Sequence, residues 1–98
     1  MLSAVWPLAV ATAEIVLARR GLAEATGQRK LFDDAQLPAA RKAASVAEFA
    51  YANGAIALLD LLDARRSLRA VELGAIDAHA AEAHAIARLR AAENTGVN

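Results

Sequence analysis

Apolar residues recur at threes, fours and sevens along most of the chain, a spacing that predicts amphipathic helices. Leu8, Ile15 and Leu22 stand seven apart, and Phe32, Ala39, Ala43, Val46 and Ala50 continue the stripe. This predicts helix from about residue 8 to 52, after an irregular start over 1–7. Gly21 and Gly27 each weaken that helix by about 1 kcal/mol relative to alanine. Pro38 lacks a backbone donor and disfavours helical geometry at Leu37, so a kink, or failing that a break, is expected near it.

A second helical pattern runs from about residue 57 to 93. One row reads Leu61, Leu68, Ala75, Glu82, Leu89, and another reads Ala64, Val71, Ala78, Ala85, Ala92. Together they form a heptad seam interrupted in character only by Glu82. Its residues are small, so the partner should be another alanine-rich helix at close approach, which residues 8–52 supply. Asn53-Gly54 lies between the two patterns. Glycine just past a helix end adopts left-handed geometry freely and closes the last carbonyls, so the pair predicts a turn at 53–56 rather than a glycine in mid-helix. The expected fold is all-α: a single long antiparallel helical hairpin, coiled-coil-like, over residues 1–98. A hairpin covers one face of each helix. Leu58, Leu62 and Ile76 lie off the seam and call for further neighbours, as in a piece of a larger bundle.

Composition narrows the function classes. The hydrophobic fraction is 57%, with alanine its largest part, and Trp6, Phe32, Phe49 and Tyr51 are the only aromatic residues. Formal net charge is zero, which gives no electrostatic footprint for nucleic acid. There is no cysteine, so disulfides and thiolate metal sites are excluded. No apolar run reaches the roughly 18 residues of a membrane-spanning helix. At the N-terminus, "ATA" before Glu14 resembles a cleavage site. But no Lys or Arg precedes the apolar run and Pro7 breaks it, so no signal peptide is expected.

Candidate chemistry is sparse. Asp60 and Asp63 fall in the first turns of the second helix, where negative charge meets the positive end of the helix dipole. Asp63 can also pair with Arg66 at i+3. Neither has a nucleophile or pocket nearby that would suit general acid–base work, and no enzymatic activity or cofactor is expected. His79 and His84 are five apart and do not share a helix face, so no metal site is expected. Arg65, Arg66, Arg69, Arg88 and Arg90 read as solvated helix faces. The second helix is too long for a helix-turn-helix recognition element, and its apolar face is too alanine-rich for a membrane-surface helix.

The stretch "YANGAIALLDLLDARRSL", residues 51–68, resembles the second periplasmic-tip motif of TolC-type outer-membrane efflux channels. That motif has an aromatic residue, a glycine shortly after it, then an apolar run holding "LLDLLDA". The preceding "LPAARKAASVAEFAY" and the closing "AEAHAIARLRAAENTG" are similar to the cation-efflux, CzcC-like branch. The resemblance covers about residues 28–96 and corresponds to the final part of a full-length member. It implies a trimer whose helical hairpins form a tunnel in the periplasm beneath an outer-membrane barrel. It also implies a periplasmic adaptor protein docking on the hairpin tips. Gly54 falls on the tip glycine and Tyr51 on its aromatic neighbour, with Asn53, Ala55 and Leu58 completing the implied docking surface. Asp60 and Asp63 fall on the acids that ring the tunnel entrance. Ile56 stands where some members carry a polar residue that locks the entrance. The runner-up reading is a free-standing helical hairpin that self-associates.

Overall fold

The computed structural model describes residues 2–97, with side-chain burial for residues 5–94. The fold is an all-α helical hairpin. Helix α1 (Leu2–Leu31) leads through a π-helical turn (Phe32–Gln36) into α2 (Leu37–Ala52), and α3 (Leu58–Val97) follows the turn. Helix α1 already starts at Leu2, earlier than the pattern suggests. Pro7 lies inside it, and near a helix end its missing donor costs a single backbone bond. Helix α3 continues through Glu93 to Val97, because no proline stops it and Gly96 stays helical. Asn98 lies outside the described residues.

The chain divides into two compact units. One comprises residues 28–78 and contains the π-turn, α2, the connecting turn and the first half of α3. Its buried residues are Ala44, Leu61, Ala75 and Ala78, at 3–8% exposure. Three of the four are alanine, so this core is thin and lets the helices approach closely. Along α3 the less exposed positions are Leu61, Ala64, Leu68, Val71, Ala75 and Ala78, in alternating steps of three and four. Leu62 is half-buried, while Leu58 and Ile76 are exposed.

The other unit comprises residues 1–27 and 79–98. Ala11, Ile15, Ala18, Leu22 and Ala25 are half-buried on α1, and Glu82, Ala85, Ile86, Leu89 and Ala92 on α3. Val5, Trp6, Leu8 and Leu17 are exposed, so Leu8 does not belong to the inward stripe with Ile15 and Leu22.

The π-turn corrects the stripe along α2. Ala39, Ala43 and Val46 face solvent, and Leu37, Ala40, Ala44 and Ala47 take the inward places. Ala40, Ala44 and Ala47 each lie one residue later than a continuous α-helix would put them, while Ala50 is half-buried where the stripe places it. The cause is one wide turn: the Leu37 N–H donates to the Phe32 carbonyl, five residues back. A π-turn adds one residue without ending the helix. It sits just before Pro38, whose ring in a regular α-helix would press on the carbonyl four residues earlier. Leu37 itself keeps right-handed helical geometry, φ −67° and ψ −47°, despite the proline that follows it. Arg29 pairs with Asp33 across the start of the π-turn at 3.2 Å, both side chains half-buried.

Candidate functional site: the hairpin tip

Five residues, Asn53 to Ala57, connect α2 and α3. The Ala55 N–H donates to the Ala50 carbonyl at 2.8 Å and the Gly54 N–H to the Tyr51 carbonyl at 3.0 Å. This is a Schellman helix ending, with Gly54 at its left-handed position, φ 73°. The Asn53 side chain reinforces it, Nδ2 donating to the Phe49 carbonyl at 2.8 Å. The backbone N–H of Asn53 reaches the same oxygen at 3.1 Å.

The start of α3 is closed from the other side. Asp60 Oδ2 accepts the Ala57 N–H at 3.3 Å. The Ala57 carbonyl accepts the N–H groups of Asp60 and Leu61 at 3.1 and 3.3 Å. Asp60 thus acts as the acidic half of a capping box at a position where Ala57 offers no side-chain cap. Asp63 pairs with Arg66 at 3.6 Å, both side chains about three-quarters exposed. Below the turn, Arg65 Nε and Nη2 approach Glu48 Oε1 at 2.9 and 2.8 Å and tie α3 to α2. Both partners are half exposed, so the pair contributes at most about 1 kcal/mol.

The backbone of the tip is therefore well satisfied, while its large side chains are not covered. Phe49 is 72% exposed and Leu59 71%, and Val46, Tyr51 and Leu58 are also exposed. Ile56 is half-buried. The turn brings Tyr51, Asn53, Gly54, Ala55 and Leu58 together at the surface, with Asp60 and Asp63 exposed on the adjoining turns of α3. The seam residues lie elsewhere: Leu61, Ala75 and Ala78 are buried, and Ala64, Leu68, Val71, Ala85 and Leu89 are half-buried.

Phe49 and Leu59 are exposed on the helix turns that flank the connection, and the Glu48–Arg65 pair joins those two helices. Phe49 stands two residues before Tyr51 and Leu59 beside Leu58, but the sequence alone does not mark which way either side chain faces. A second exposed apolar pair, Leu73 and Ile76, lies on α3 in a shallow groove with Arg65, Arg69 and Glu72. His79 and His84 are exposed. Among the described residues no three His, Asp or Glu side chains gather as metal ligands, and no helix is long and apolar enough to cross a membrane.

No protein-family model, curated protein or solved structure matches the chain.

Proposed function

We propose that this chain is the tip hairpin of a TolC-type efflux channel, with the turn as the docking surface for a periplasmic adaptor protein. One observation carries the reading. A turn closed by its own backbone bonds leaves Tyr51 and Leu58 exposed on either side of Gly54, with Phe49 and Leu59 exposed on the flanking helix turns. Large apolar side chains displayed on a pre-ordered backbone suit protein docking, because little ordering cost opposes burial of the anchors. Gly54 leaves the turn free of a side chain where another backbone would come closest. The motif in residues 51–68 supplies the rest of the reading: a trimer in the outer membrane, with this segment in the periplasm. Its role there is passive efflux and is not enzymatic.

In that assembly Asp60 and Asp63 would ring the tunnel entrance. Both carboxylates are exposed, as a ring requires, although Asp60 also caps α3.

The test is binding of a purified periplasmic adaptor from a cation-efflux system to the wild-type chain and to Gly54→Val. Docking at the tip requires binding to be lost in Gly54→Val while far-ultraviolet circular dichroism still reports helix. Undiminished binding by a helical Gly54→Val chain sinks the proposal.

Leu73 and Ile76 favour a second reading, a hairpin that self-associates through the outer face of α3. They are 56% and 64% exposed and lie away from the tip. Sedimentation equilibrium on Ile76→Asp separates the two: self-association predicts loss of the oligomer, whereas tip docking predicts unchanged adaptor binding. Leu61→Asp would not discriminate, since Leu61 is buried within the hairpin itself.

A further inference from the structure

Asn53-Gly54 is also a chemical feature. Glycine after asparagine offers the least hindered backbone nitrogen for attack on the asparagine side chain. In that reaction the Gly54 nitrogen loses its proton to solvent base and bonds to Cγ of Asn53. Nδ2 then departs as ammonia and a five-membered succinimide remains. Water opens the ring at either carbonyl, giving aspartate or isoaspartate and one new negative charge. No oxidant or reductant is needed.

We infer that Asn53 is a spontaneous deamidation site that the folded tip holds inactive, so that deamidation records how often the tip opens. Both nitrogens the reaction needs are engaged. The Gly54 N–H, which must be given up, is bonded to the Tyr51 carbonyl at 3.0 Å. Nδ2, which must leave, is bonded to the Phe49 carbonyl at 2.8 Å, which ties the side chain to the last turn of α2. Asn53 is exposed, so solvent base and water reach it as soon as these bonds open. Reaction therefore proceeds through the opened turn, and its rate follows the population of that state.

The product cannot rebuild the turn as it was. A carboxylate has no donor for the Phe49 carbonyl, and it places negative charge at the end of α2 where the helix dipole is already negative. Isoaspartate further lengthens the backbone inside the Schellman ending. Deamidation is therefore one-way damage to the tip, separate from any docking role.

Peptide mapping by mass spectrometry tests this on the full chain. One sample is incubated at a concentration where circular dichroism shows the helices formed, and the other in guanidinium chloride at the same pH and temperature. Conversion at Asn53 should be at least about tenfold slower in the folded sample. Asn94 precedes Thr95, a β-branched residue that hinders attack, and should be slow in both samples. Equal rates at Asn53 in the two samples would overturn the protection. The Asn53→Asp variant, which carries the aspartate product, should melt at lower temperature than wild type. An unchanged or raised melting temperature would overturn the claim that the product damages the tip.

Discussion

The ring edge of Phe32 stands against Gly74. A β-carbon on Gly74 would stand 2.6 Å from Phe32 Cε1 and 2.7 Å from Cζ. Phe32 also gives its carbonyl to the wide turn that precedes Pro38. The same residue thus anchors the π-turn and fills the space that glycine leaves on α3. Gly74→Ala gains about 1 kcal/mol of helix propensity. It also forces out the ring, and overpacking of this kind costs about 1–3 kcal/mol. The net change should be destabilising in wild type. In a Phe32→Ala background the clash is gone, and the same substitution should stabilise by about 1 kcal/mol. Thermal or urea melts of the four chains of this double-mutant cycle measure the reversal of sign.

Glycines elsewhere in the chain should respond differently. Gly54 needs a positive φ, so Gly54→Ala should cost about 1–2 kcal/mol. Gly21 and Gly27 have open space where a β-carbon would go. Gly21→Ala and Gly27→Ala should each stabilise the helix by up to about 1 kcal/mol. Chemical denaturation of the three single variants orders them.

The π-turn predicts an uneven response to deletion. With Pro38→Ala in place, removing Ala35 deletes the extra residue and lets α1 run into α2 as regular helix with the inward face unchanged. Removing Ala43 in the same background instead swings the first part of α2 out of phase with the buried Ala44 position. The Ala35 deletion should melt within a few degrees of its parent, corresponding to about 1 kcal/mol or less. The Ala43 deletion should lose the cooperative transition. Equal losses would mean that the wide turn has no role in setting the phase.

Neighbouring leucines at the start of α3 should separate stability from docking. Leu61 is 3% exposed, and Leu61→Ala should cost about 2–5 kcal/mol. Leu59 is 71% exposed, and Leu59→Ala should change stability by no more than about 0.5 kcal/mol. Circular dichroism melts of the two variants check the contrast.

How much of this was legible depended on whether the period was interrupted. The seam on α3 could be read directly because Leu61 through Ala92 keep one heptad phase with no proline among them. The turn was legible because Asn53-Gly54 carries its own backbone chemistry. Along α2 the same method put Ala39, Ala43 and Val46 inward and missed by one residue. Pro38 signals disturbance but not whether the helix will break, kink or take in an extra residue. The Phe32–Gly74 contact joins residues far apart in sequence, and a lone glycine in a helix carries no mark of its partner. At the tip, Tyr51, Gly54 and Leu58 came from the motif. Phe49 and Leu59 needed the orientation of each helix end to show that they point to solvent.

The most direct measurement is a titration of a purified periplasmic adaptor against three forms of the chain: wild type, the Phe49→Ser/Leu59→Ser double variant and Ile76→Ser. Docking at the tip predicts that wild type and Ile76→Ser bind alike, while the double variant binds at least about tenfold more weakly at unchanged helicity. An adaptor that ignores the wild-type chain, or that loses affinity for Ile76→Ser but not for the double variant, would contradict it.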